Sequence, residues 1–233
     1  MNIQHFLYRH FSNKPVIVII HGYSRFRWHP LDNLINYFNQ NGYVVIVPAL
    51  FDPTDDHDND AKLWLERAKL AVEEAYTIKD EVVVIGFSMG GVIASYLSTM
   101  FPLSLLVLLA PAFEYITLKR VREHLSKRVL KKSIPEEQEP LYPPLPDHFV
   151  DTFKEVVAIC KNTVKFILCP LVLFHGTEDE SIPLRSSQIA YEMAMTDNRK
   201  FYKLKDVGHS IMEDQMYYKD VISIIEQNIK KIP

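Results

Sequence analysis

The chain has 233 residues, 48% of them apolar, and 26 Lys and Arg against 29 Asp and Glu give a formal net charge of −3. That balance excludes a disordered chain and leaves no basic surplus to attract nucleic acid. Two cysteines, Cys160 and Cys169, make neither a disulfide framework nor a zinc spacing.

In chain order, short apolar or β-branched runs alternate with helix-length patterns. Ile3 to Phe11 reads as an outer strand, Val16 to Ile20 as a buried one, and Leu31 to Asn41 as a helix closed by Gly42. Tyr43 to Val47 is the next strand. Asp60 to Tyr76 follows as a helix with Trp64, Ala68, Ala71 and Ala75 on one stripe. Val82 to Ile85, Leu105 to Leu109 and Leu171 to Phe174 are continuous apolar runs that suit strands buried on both faces. Lys200 to Leu204 reads as an outer strand, with helices predicted over Leu184 to Met195 and Glu213 to Lys230. Strands alternating with helices give an α/β fold, a mostly parallel central sheet with helices on both faces.

One region departs from the alternation. Between Phe113 and Leu168 no strand is predicted. The segment holds a basic helical stretch (Leu118 to Lys132), prolines at 135, 140, 143, 144 and 146, and a further helical piece from Asp147 to Thr163. Loops of this length with structure of their own are usually lids or caps.

Gly86-Phe87-Ser88-Met89-Gly90 follows the run Val82 to Ile85 and leads into Gly91 to Leu97. A strand, a G-x-S-x-G turn and a helix form a nucleophile elbow, which holds the serine hydroxyl clear of the sheet edge. The chain has only 7 glycines, and all but Gly42 flank candidate catalytic positions. A serine hydroxyl needs a base to take its proton and a third group to orient that base. Beyond the strand Leu171 to Phe174 lies His175-Gly176-Thr177-Glu178-Asp179-Glu180-Ser181-Ile182-Pro183, and after Leu204 come Val207-Gly208-His209-Ser210. Both fall in loops at strand C-terminal ends, where ligands collect in open α/β sheets. Asp179 is then the orienting acid, with Glu178 the nearest substitute, and His209 is the base. His175 and His21 read as structural. The oxyanion needs preorganised N–H donors. Met89, at the start of the elbow helix, and Tyr23, in the His21-Gly22-Tyr23 loop, are the candidates.

Together H-G-Y, G-F-S-M-G-G, H-G-T-E-D-x-S-I-P and G-H-S-I, in this order, resemble the α/β-hydrolase superfamily. The resemblance is greatest to its small-capped bacterial carboxylesterases and monoacylglycerol lipases, and it covers nearly the whole chain. It implies a single domain over residues 1–233 with a cap insertion at about residues 113–165. It also implies a Ser88, Asp179, His209 triad with oxyanion donors at Tyr23 and Met89. The activity implied is hydrolysis of a small-molecule carboxylic ester through an acyl-enzyme, with no cofactor and no metal. A thioesterase or acyltransferase on the same triad, and a non-catalytic binding protein of the same fold, are the alternatives. Phe113, Tyr115, Ile116, Leu141 and Tyr142 are expected to line an acyl pocket.

Other features have plainer readings. The acidic run Asp52 to Asp60 has Ala61 and Arg67 where a calcium loop starting at Asp56 needs glycine and glutamate, so capping of the Trp64 helix accounts for it. The basic stretch is expected to be the solvated face of a cap helix. The longest apolar runs, such as Leu105 to Phe113, fall far below the ~18 residues that cross a bilayer. Met1 to Phe11 lacks an apolar signal-peptide core. The expectation is a cytoplasmic protein without stable membrane insertion, whose oligomeric state the sequence leaves open.

Overall fold

The computed structural model describes residues 7–10, 12–23, 30–115, 145–146 and 148–232. The strands are β1 (Val16–Ile20), β2 (Val45–Ile46), β3 (Val82–Phe87), β4 (Leu105–Leu109), β5 (Leu171–Gly176) and β6 (Arg199–Leu204). The helices are α1 (Asp32–Gln40), α2 (Ala61–Ile78), α3 (Met89–Leu97), α4 (Phe149–Cys160), α5 (Leu184–Met193) and α6 (Tyr218–Ile229). A 3-10 turn, Lys161–Phe166, extends α4, and another, Ile211–Glu213, precedes α6.

The sheet is six-stranded in the order β2-β1-β3-β4-β5-β6, and every pairing is parallel. A parallel sheet buries both faces, which is why its central strands read as unbroken apolar runs. Val18, Ile20, Val84, Leu106 and Leu173 face one layer, where Trp64 of α2, Val92 of α3, Val156 of α4 and Ala190 of α5 are buried. Ile17, Ile19, Ile85, Val107 and Phe174 face the other, with Leu34 and Phe38 of α1 and Ile225 of α6. The strand order reverses between β1 and β3, and the crevice beyond their C-terminal ends is where ligands bind in open α/β sheets.

The stripe on α2 is buried as the spacing predicts: Trp64, Ala68 and Ala75 are inaccessible and Ala71 nearly so. Trp64 stacks on Phe51 with centroids 4.3 Å apart and donates its Nε1–H to Asp58 O. The acidic run in front of this helix caps it. Asp60 accepts from the backbone N–H of Lys62 and Leu63, while Asp58 pairs with Arg67 and accepts from Asp52 N. Asp60→Ala is expected to cost about 1 kcal/mol, read as a lower urea midpoint with an unchanged slope.

Three expectations need correction. Residues 7–10 are helical, and the rest of the segment 3–11 lies outside the described residues. The outer positions of the sheet belong to β2 and β6, and the described residues of the segment pair with neither. Tyr8 instead donates to Pro15 O, tying the helical turn to the start of β1. The strand foreseen over Tyr43 to Val47 narrows to Val45–Ile46, half-buried at the sheet edge. The last helix begins at Tyr218 and not at Glu213, because Ile211–Glu213 forms a separate turn.

Of the region between Phe113 and Leu168, α4 packs its buried face of Phe149, Phe153, Val156, Val157 and Cys160 into the layer shared with α2 and α3. The basic stretch, the prolines other than Pro146, and the pocket candidates Ile116, Leu141 and Tyr142 lie outside the described residues. Burial pushes the Cys160 thiol up to about 12. Among the described residues no helix is long and apolar enough to cross a membrane.

Candidate active site

Ser88 sits between β3 and α3 with φ 55° and ψ −118°, a left-handed conformation that is uncommon for a residue with a Cβ. The surroundings hold it there. Ser88 N donates to Leu109 O on β4, while Gly91 N and Ala112 N donate to Ser88 O. The elbow also presses its helix onto β1, since a Cβ at Gly90 would lie 2.1 Å from Ile20 O. Glycine is therefore required at 90 by close approach.

The N–H of Met89 stands at the first position of α3, where a helix leaves its amides unpaired. Met89 is fully buried, and its N–H has no acceptor among the described residues. A buried orphan N–H beside a serine is what an oxyanion site supplies. The second candidate donor lies in the loop after β1, which touches the elbow: a Cβ built on Gly22 would stand 3.1 Å from Ser88 Cβ. His21 steadies this loop from a fully buried position. Its Nε2 accepts from Leu50 N at 3.2 Å, which leaves Nδ1–H to donate to Gly22 O at 2.8 Å.

The structure brings Asp179 and His209 together: His209 Nδ1 donates to Asp179 Oδ2 at 2.7 Å. The carboxylate is inaccessible, and the imidazole is only slightly exposed. Asp179 Oδ1 also accepts from Ser181 N at 2.9 Å and Ile182 N at 2.8 Å. Burial pushes the Asp179 carboxyl upward, but the His209 charge, the His175 and His209 side chains and the Ile182 amide together hold it well below the usual carboxylate range. Asp179 is thus an anion in the working pH range. Bonding at Nδ1 leaves the His209 Nε2 lone pair available as a base.

The acid loop and the histidine loop are registered backbone to backbone. Thr177 N donates to Leu204 O, Glu178 N to Val207 O, and Asp206 N to Thr177 Oγ1. A Cβ at Gly176 would meet Val207 O at 2.1 Å, so only glycine allows this approach. The imidazole of His209 lies against Phe87, the residue before Ser88, with centroids 4.9 Å apart. Among the described residues no hydrogen bond joins Ser88 to His209; such contacts often tighten only with substrate bound. Among the described residues no hydrogen bond or ion pair joins Glu178, the substitute acid, to His209, and its amide donates to Val207 O in the loop register.

An aromatic wall stands beside the elbow. Phe153 of α4 touches Tyr23 at 5.5 Å and Tyr115 at 5.2 Å, centroid to centroid, and Tyr23 lies 6.2 Å from Phe51. Phe153 and Tyr23 were not foreseen in this role. In the sequence, Asp147 to Thr163 reads only as a helical piece. Phe113 is buried in the core and Tyr115 half-buried. Among the described residues no group of three His, Cys, Asp or Glu side chains converges as a metal site would.

The sequence model of the alpha/beta hydrolase family matches residues 17–218. Among curated proteins, none matches the chain in sequence. Among solved structures, one from work on LipS and LipT, two metagenome-derived lipolytic enzymes, aligns with a TM-score of 0.77 at 16% identity, covering 94% of each chain. A soluble variant of the Saccharomyces cerevisiae monoglyceride lipase, in complex with a substrate analogue, aligns at 0.71 and 15% identity, covering 95% of this chain and 88% of that one. The Paleococcus ferrophilus monoacylglycerol lipase aligns at 0.65 and 16% identity, covering 93% and 96%. Similarity at these identities establishes a shared fold.

Proposed function

The chain belongs to the alpha/beta hydrolase family, and from that premise we propose that it is a serine hydrolase that cleaves carboxylic esters through an acyl-enzyme. The observation that carries this reading is the buried Asp179 carboxylate bound to His209 Nδ1, in loops registered to one another beside a strained Ser88.

Ser88 Oγ attacks the ester carbonyl carbon as its proton passes to His209 Nε2, and the carbonyl oxygen becomes an alkoxide facing the Met89 N–H and the Tyr23 N–H. Asp179 faces the imidazolium so formed and stabilises it without taking the proton. The tetrahedral intermediate collapses: the bond to the alcohol oxygen breaks, and His209 returns its proton to that oxygen. Water then adds to the acyl-enzyme with His209 again taking the proton. The second collapse breaks the bond to Ser88 Oγ, which recovers its proton as the acid departs.

The wall formed by Tyr23, Tyr115 and Phe153 favours an apolar acyl chain, and the likeness to lipolytic and monoacylglycerol-cleaving enzymes supports simple esters as the substrate class. A series of p-nitrophenyl esters from acetate to palmitate, with matched thioesters, tests the proposal. Oxygen esters should turn over with a preferred chain length. A preference for sulfur esters would move the activity to thioester cleavage, and no turnover of any member would remove the catalytic reading.

A further inference from the structure

Asp179 Oδ1 is held by two backbone amides, but Oδ2, the oxygen that faces His209, receives no backbone donor among the described residues. A carboxylate fixed at one oxygen can still turn about its Cβ–Cγ bond, and any such turn would carry the imidazole with it. A second buried group stands beside Oδ2. His175, at the end of β5, has no solvent exposure. Its Nε2 lies 3.0 Å from Ile182 O and 3.3 Å from Asp179 Oδ2. Both neighbours can only accept, so Nε2 carries the proton. Nδ1 is then an acceptor, and it lies 2.7 Å from the hydroxyl of Ser187, buried in the first turn of α5.

On the basis of the triad reading above, we infer that His175 is a positioning residue for the acid. Its Nε2–H donates to Ile182 O and stands 3.3 Å from the free oxygen of Asp179, while the Ser187 hydroxyl meets Nδ1 and holds the ring in place. The chain His209–Asp179–His175–Ser187 thus runs from the reacting centre to two rigid elements, β5 and α5. It sets the His209 Nδ1–H and the His175 Nε2–H both against Oδ2, so the oxygen stays in place while His209 gains and loses its proton. Such outer partners are effective because they hold geometry, and displacement of a reacting group by an ångström can cost about a hundredfold in rate.

The test measures the rate at which a fluorophosphonate labels Ser88, together with kcat and KM on the best p-nitrophenyl ester. His175→Leu keeps the bulk and removes both ring nitrogens. Labelling and kcat should fall by about tenfold to a hundredfold, with KM held within about twofold. His175→Gln, whose side-chain amide can again donate at the Nε2 position, should recover most of that loss. In an Asp179→Asn background His175→Leu should cost little more, because its effect passes through the carboxylate. Ser187→Ala, which disturbs packing least, should lower the labelling rate by about threefold and serves if His175→Leu does not fold.

Wild-type rates in folded His175→Leu, or in Ser187→Ala where the leucine variant does not fold, would overturn the inference. So would an equal loss in both Asp179 backgrounds, which is the mark of a purely structural side chain. A Ser88→Ala protein that still turned over ester would instead reject the underlying triad, whatever His175 does.

Discussion

Ser88→Ala is expected to abolish turnover while leaving the protein folded. The drop should approach about 10⁶-fold in kcat, the scale seen when the nucleophile of a triad is removed. Alanine keeps the Cβ and hence the left-handed backbone that the elbow imposes, so neither the sheet nor α3 has reason to change. Ser88 contributes no side-chain hydrogen bond to the fold among the described residues, and its backbone bonds to Leu109, Gly91 and Ala112 survive the substitution. Circular dichroism and a thermal melt should match wild type, and the ester assay should read background. Substantial residual turnover would place the nucleophile elsewhere.

The second large effect is at Asp179. Asp179→Asn should preserve the loop, since an amide oxygen can still accept from Ser181 N and Ile182 N, yet kcat should fall by about 10⁴-fold. Two physical losses combine. The amide NH₂ turned toward His209 Nδ1 selects the wrong tautomer, and the charge that stabilises the imidazolium is gone. The same residue gives a stability signature. The folded-state carboxyl is held below its ordinary value, so its ionised form contributes stability that is fully present above the unfolded value near 3.8. That contribution is lost as pH falls from there through the lower folded value. Acid titration should therefore destabilise wild type more steeply than Asp179→Asn below the ordinary carboxylate range, with the two curves parallel at neutral pH. A wild-type rate in Asp179→Asn would exclude this residue as the orienting acid.

Much of the architecture was readable because the dominant force left a plain trace. Strands buried on both faces must be apolar, and the runs Val16 to Ile20, Val82 to Ile85, Leu105 to Leu109 and Leu171 to Phe174 are so at every position. The loops of the candidate site were readable for a different reason. Backbone lies on backbone at Gly90 and Gly176, which forces glycine there in a chain that otherwise uses little.

What was hidden depends on tertiary context. Val45–Ile46 is short because only two residues pair with β1, which nothing in Tyr43 to Val47 reveals. The segment at residues 7–10 has the polarity of an outer strand, but it is helical and the outer positions belong to β2 and β6, a sheet order that no local pattern shows. The pairing of His175 with Ser187 spans a loop and a helix start. It carries no periodicity, and only the geometry shows which of the two ring nitrogens meets which partner. The orphaned amide of Met89 was anticipated from its place at a helix start, whereas its burial required the packed structure.

The most direct test of the central claim is active-site labelling of the folded wild-type protein with a fluorophosphonate, followed by peptide mapping. A single adduct should form on Ser88, rapidly in wild type, not at all in Ser88→Ala and far more slowly in Asp179→Asn. An unlabelled Ser88 in folded protein, or an adduct on another residue that accompanies loss of ester turnover, would contradict it.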